Sequence, residues 1–303
     1  MAVRGRVGAR PCVDVNALDP PAAAPAVTVP PHVWFVVSAF FHYLGPAFAV
    51  LLFARVDVLG VAWLRIVAAA LIFAAWRRPW RAYRAQDDAG RRLLLAWGAV
   101  LALMNACFYT AIDRLPLGTV AAVEFLPVIV LAALGARTGR NAAALGCAVA
   151  GVYLLTGVQF ASAPVGLAFA FANAALFATY IVLADRVAKR DAVSGIDGLA
   201  AAMLVAAVVI TPIGAVAALP TLGDPVALLA GLGVGVSSSV IPYVCDQLAL
   251  ARLARATYAL LVALLPAVAT VIGIVVLAQL PTVAELTGVA LVIAGVGLHR
   301  APG

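Results

Sequence analysis

Charge is what this chain has least of. Only 11% of its 303 residues are charged, against about 25% in an average soluble domain. Hydrophobic residues make up 65%, and the mean hydropathy is +1.10. That balance excludes a soluble globular domain and demands apolar surroundings for most of the chain. Cysteine is also scarce. Of Cys12, Cys107, Cys147 and Cys245, the last three sit inside apolar runs and none is spaced as a ligand pair, which argues against a disulfide framework or a metal centre. No Gly-rich phosphate loop, HExxH helix or nucleophile elbow occurs, so the chain carries no soluble-enzyme constellation. Neither a metal nor a cofactor is expected.

What is present is a series of ten apolar segments of about 18–24 residues, each long enough for a hydrocarbon core of about 30 Å. They lie near residues 33–53, 58–76, 93–112, 117–136, 142–160, 165–184, 196–219, 226–248, 256–277 and 282–298. The expected fold is an all-α integral membrane protein. Residues 1–31 are rich in Ala, Pro and Arg, and Pro20, Pro21, Pro25, Pro30 and Pro31 interrupt any signal-like apolar core. They read as a disordered cytoplasmic tail rather than a cleaved signal.

The formal charge of +7 resolves once the basic residues are located. With the N-terminus inside, seventeen of the twenty Lys and Arg residues fall in the tail or in inner loops. Only Arg55 and Arg114 fall outside, and Arg65 lies within a span. The positive-inside rule then puts both termini in the cytoplasm, and no nucleic-acid partner is needed to explain the charge.

A weak internal repeat is visible. RLPLGT (residues 114–119) and RLARAT (residues 252–257) each follow an apolar span and precede another that contains a proline, Pro127 and Pro266. Five spans per half, an odd number, gives the halves opposite orientations. Inverted repeats with proline-interrupted helices point to a secondary transporter with a midplane site. Chance recurrence in a chain rich in Leu, Ala and Arg is the competing explanation. The implied division is a first five-helix repeat over residues 32–160 and a second over residues 161–300.

Polar groups inside the spans are the candidate site. An acid at a helix centre costs roughly 2.5–3.5 kcal/mol to insert, so Glu124 must face a cavity or a partner. Glu124 lies seven residues past Leu117, and Arg65 lies seven past Val58. At 1.5 Å per residue both are roughly 10 Å below the outer boundary, with Asn105 and Asn173 at similar depth. Two readings of Arg65 and Glu124 stand side by side. In one they form a permanent salt bridge that locks two helices. In the other Arg65 anchors a substrate carboxylate, and Glu124 accepts a proton or the substrate ammonium. His42, beside the Gly45-Pro46 kink signal, is either pore-facing or packed within the bundle. Asn105 and Asn173 either bridge helices or line the cavity. Ser237, Ser238 and Ser239 either permit close helix approach or touch substrate. Asp246 is near the inner end of its span and is read as interfacial. Interface anchoring is the default for tyrosines near span ends, Tyr43, Tyr109, Tyr180 and Tyr243 being the candidates.

Several stretches resemble the drug/metabolite transporter superfamily of EamA type, in its threonine/homoserine exporter branch. They are LRIVAAALIFAAWRRPWR (residues 64–81), NACFYTAIDRLPLGTVAAVEFLP (105–127), SSVIPYVCDQLALARL (238–253) and LLPAVATVIGIVVLAQLPTVAELTGVALVIAGVGL (264–298). The resemblance implies an inner-membrane transporter of ten helices in two inverted five-helix repeats. It also implies export of small amino acids or similar metabolites by exchange with protons. Glu124, Arg65, His42, Asn105, Tyr109, Asn173 and Ser238 are the expected substrate- and proton-binding residues. Expected partners are the lipid bilayer, the small-molecule substrate and protons, with a homodimer as a candidate assembly. Export of other metabolites or toxic cations, and a non-transporting scaffold or sensor, are the alternatives. The chain departs from the family pattern in lacking one residue between Phe125 and Pro127. It also has Leu265 and Gln279 where the family usually has glutamates.

Overall fold

The computed structural model describes residues 30–135, 138–159, 162–190, 195–250, 252, 261 and 264–298. Nearly all of the expected N-terminal tail lies outside them, as do residues 253–257 of the RLARAT copy and most of the first half of the ninth expected span. Among the described residues there is no β-strand. The helices are α1 (Pro31–Leu52), α2 (Val58–Arg77), α3 (Pro79–Arg84), α4 (Asp88–Ile112), α5 (Leu117–Gly135), α6 (Gly139–Gln159), α7 (Pro164–Ala188), α8 (Gly195–Ala218), α9 (Pro225–Gly235), α10 (Ile241–Leu250), α11 (Leu265–Leu277) and α12 (Val283–Leu298). A π-helical turn, Val236–Val240, joins α9 to α10 in one rod.

Six helical stretches are long and apolar enough to cross a membrane, and four more are apolar but shorter: Leu117–Pro127, Gly139–Leu155, Leu265–Leu277 and Val283–Leu298. Each overlaps one of the apolar segments read from the sequence, several over only part of the expected length. The short α3, within the basic stretch after α2, is an element that hydrophobic runs do not signal. Large apolar side chains such as Val36, Leu71, Leu103, Ile213, Leu229 and Val275 are more than half exposed. In water such a surface invites aggregation, whereas in lipid it faces its own kind of solvent.

The few charges work at helix ends. Asp57, Asp87 and Asp224 cap α2, α4 and α9 by accepting backbone N–H bonds from Leu59, Gly90 and Val226 at 2.9, 2.7 and 2.9 Å. Such caps are worth about 0.5–2 kcal/mol each. Arg77 pairs with Asp197 at 2.8 Å and Arg190 with Asp87 at 2.6 Å, tying α2 to α8 and α7 to the start of α4.

Small residues set the helix spacing. A Cβ on Gly151 would meet the carbonyl of Gly288, and one on Gly288 would meet the carbonyl of Gly151, so α6 and α12 touch backbone to backbone. The other extensive pairings are α2 with α8, α4 with α7 and α8, and α1 with the α9–α10 rod and α11. Helix α5 lies against α6, α7, α11 and α12. The main core gathers Tyr43, Ile66, Phe73, Leu101, Tyr109 and Leu117 from α1, α2, α4 and α5.

Candidate functional site

Between these helices lies a cavity of about 540 Å³. Five of the seven expected site residues line it: His42 from α1, Arg65 from α2, Asn105 from α4, Glu124 from α5 and Asn173 from α7. Their convergence follows from the helix pairings above. The cavity continues past Tyr180 to Asp185 and Ala188 at the end of α7 and to Gly195 at the start of α8. It therefore leads toward the end of the bundle that carries the Arg77–Asp197 and Arg190–Asp87 pairs.

Arg65 and Glu124 do not form the direct ion pair that matching depth allows. Arg65 instead donates from Nε to Ser239 Oγ and from Nη2 to the Ser238 carbonyl, both at 2.9 Å. The reason is in the rod. Pro242 has no N–H, so the Ser238 carbonyl four residues earlier loses its α-helical donor, and the π-helical turn opens the backbone there. The guanidinium fills that gap. Its Cζ also lies 5.4 Å from the centre of the Tyr109 ring, within cation–π range. Ser238 and Tyr109 are thus supports behind Arg65 rather than part of the cavity lining, a correction to their expected role. The close approach of α1 to this turn requires Gly45, where a Cβ would collide with the Ser238 side chain and backbone.

Glu124 is 6% exposed, and its Oε1 accepts a 3.1 Å hydrogen bond from Asn173 Nδ2. Asn173 therefore bridges helices and lines the cavity at once. Asn105 turns back on its own helix, donating to the Leu101 carbonyl at 2.7 Å, so it faces the cavity without the expected interhelical bond. His42 lines the cavity with its ring edge-on to Tyr43 at 5.1 Å.

Two further sequence expectations need correction. Asp246 is not merely interfacial. It lines the same cavity and accepts a 2.6 Å hydrogen bond from the buried Ser38 hydroxyl. Tyr180 and Tyr243 line the cavity as well, and Tyr43 is fully enclosed, so these rings are not membrane-interface anchors. Ser38 is the residue that sequence reasoning missed, and Asp246 the one it misassigned. Helical spacing holds the signal: Tyr243 and Asp246 are three apart, and both fall on one face.

At the opposite end the described residues pack closely. Gln279 Oε1 accepts the backbone N–H of Leu117 at 3.0 Å, and a Cβ on Gly118 would run into Thr270. A crevice of about 30 Å³ lies between α5, α11 and α12. Glu285 sits in its wall, accepting from Thr282 N and Oγ1 at 2.7 and 3.0 Å and from Gln159 Nε2 at 2.8 Å.

Comparison with known proteins gives one consistent outcome. The sequence profile of the EamA-like transporter family matches residues 164–300. The threonine/homoserine exporter RhtA of Salmonella typhimurium (strain LT2) is 33% identical over 253 residues, covering 82% of this chain and 84% of the relative. RhtA of Escherichia coli (strain K12) is 32% identical with the same coverage. A solved crystal structure superposes with a TM-score of 0.58 over 88% of this chain and 96% of its own, at 17% identity, which speaks for the fold alone. With apolar helices of spanning length, a polar cavity among them and relatives of this identity, the chain belongs to the EamA-like transporter family of multi-pass membrane proteins, in its RhtA-like branch.

Proposed function

We propose that this protein exports small zwitterionic amino acids of the threonine/homoserine kind across the inner membrane in exchange for protons. The observation that carries the reading is that Arg65 and Glu124, from two different helices, face one cavity with ample room for an amino acid without neutralising each other in a direct ion pair. Arg65, clamped by Ser238 and Ser239, offers its remaining N–H groups to a carboxylate, the geometry in which Arg excels. Glu124, steadied by Asn173, takes the proton. The names of the relatives supply the substrate class.

The packing supports an inverted five-plus-five repeat. Exchanging the halves turns the α4–α7 contact into that of the rod with α1, and α5–α7 into α11–α1. The pairs α2–α8, α5–α11 and α6–α12 map onto themselves. Rocking of one half on the other gives alternating access. The positive-inside rule favours a cytoplasmic side for the open end of the cavity and for both termini; this conformation then receives substrate from the cytoplasm while the Gln279–Leu117 seam closes the outside.

The test is flux of labelled threonine from proteoliposomes under an imposed pH step. Parent protein should move threonine faster with the step than without it. Absence of flux in every form sinks the transport reading. Flux indifferent to the step removes the proton, leaving an uncoupled exporter.

A further inference from the structure

The cavity holds more carboxylate than the reading above uses. Besides Arg65 and Glu124 it is lined by Asp246, whose carboxylate is fixed by the Ser38 hydroxyl at 2.6 Å, a length typical of a bond to an ionised acceptor. Ser38 is itself buried and also lies 3.2 Å from the Pro242 carbonyl, so this support comes from α1 and is held in place. Other titratable groups facing the space are His42, Tyr180 and Tyr243, with Asp185 at the rim paired to Lys189 at 2.6 Å.

We propose that Asp246 is the binding site for the substrate's ammonium group, leaving Glu124 free to carry the proton. This rests on the amino-acid reading and assigns the two ends of the substrate. The first ground is distance. Ser239 holds Arg65, and Asp246 lies seven residues further along the same rod, roughly 10 Å at 1.5 Å per residue. One small amino acid with an ion pair of about 2.7–2.9 Å at each end fills such a gap. The second ground is charge. Among the described lining residues Arg65 and Asp246 offer the two signs a zwitterion needs, and Glu124 is a further acid that can seat a proton. The third is exposure. Glu124 is buried deep in the cavity wall, whereas Asp246 is half-buried and lies on the side of the cavity leading to the open mouth. A substrate entering there meets Asp246 first, and a carboxylate within reach of water keeps a fixed charge at lower cost than a buried one.

The experiment uses the full-length protein in proteoliposomes, exchanging labelled threonine without a pH gradient. The competitor is 2,3-dihydroxybutyrate, which keeps the carboxylate and replaces the ammonium with a hydroxyl. Parent protein should prefer threonine by about thirtyfold or more, the scale of losing one partner of a buried charge pair. Asp246→Asn should bring that ratio close to one. Asp246→Glu should restore part of it, and Ser38→Ala should fall between parent and Asp246→Asn. Glu124→Gln should keep the parent ratio. If Asp246→Asn does not fold, the Ser38→Ala and Asp246→Glu ratios decide. A parent ratio retained by the Asp246 and Ser38 variants, or lost in Glu124→Gln instead, overturns the assignment while leaving amino-acid export intact. A parent that exchanges no threonine overturns both.

Discussion

The chain has two glutamates, and they are buried to the same degree: Glu124 is 6% exposed and Glu285 is 5%. Their surroundings differ in kind. Glu285 completes a capping box with Thr282 at the start of α12, its own N–H donating to Thr282 Oγ1 at 3.2 Å, and its other oxygen is taken by Gln159 from α6. Both oxygens are spent on structure. Glu124 receives one side-chain hydrogen bond, from Asn173, and faces about 540 Å³ of space. The wall beside Glu285 encloses about 30 Å³, too little for an amino acid. Burial of an acid in a membrane protein is therefore not the mark of a site. An acid with hydrogen-bonding capacity left over, facing a cavity, is.

Substitutions sharpen the contrast. The largest effect is expected for Arg65→Met, which removes the only cation among the described cavity-lining residues. Threonine flux should fall about thirtyfold or more, and the Ser238 carbonyl is left without its donor. Next comes Glu124→Gln against Glu285→Gln. The first should abolish the response of flux to a pH step, and the second should leave that response at the parent's level. The order reverses for stability. Glu285→Ala strips acceptors from the Thr282 N–H and the Gln159 amide and should cost about 1–3 kcal/mol, read as a lowered midpoint of thermal unfolding in detergent. A transport defect in Glu285→Gln as deep as that of Glu124→Gln would break the comparison.

How far this was legible in the sequence depends on the kind of signal. Hydrophobic runs located all ten apolar segments, because lipid forces backbone bonds to close within each helix. Depth counting brought Arg65, Glu124, Asn105 and Asn173 to one level, and all four line the cavity. Depth does not specify azimuth, however, so the same counting suggested a direct Arg65–Glu124 pair. What redirected Arg65 was Pro242, a residue on another helix whose missing N–H frees a carbonyl. Asp246 was misassigned for a related reason: nearness to a span end suggests water, whereas the Ser38 hydroxyl that orients it comes from a helix 208 positions earlier. Glu285 was passed over because its role is local capping, which composition and span-finding do not weigh.

The smallest expected effect lies outside the cavity lining, at Asp87. The Gly90 backbone N–H, and then Arg190, hold the Asp87 carboxyl below the ordinary carboxylate range. A depressed value in the folded state means the contribution is present above the unfolded value of about 3.9 and is lost as pH falls through the folded one. The stability difference between parent and Asp87→Asn should therefore be flat from about pH 5 to 8, above the range in which an exposed aspartate titrates, and shrink only in acid. A difference that grows between pH 6 and 7 would mean that another group governs this corner.

The central claim, that Glu124 and not Glu285 exchanges a proton against substrate, is open to a direct reading. Threonine is added to detergent-solubilised protein in weak buffer, and proton release is followed with a pH dye. The account predicts release by the parent and by Glu285→Gln, and none by Glu124→Gln. Release from Glu124→Gln equal to the parent's would contradict it.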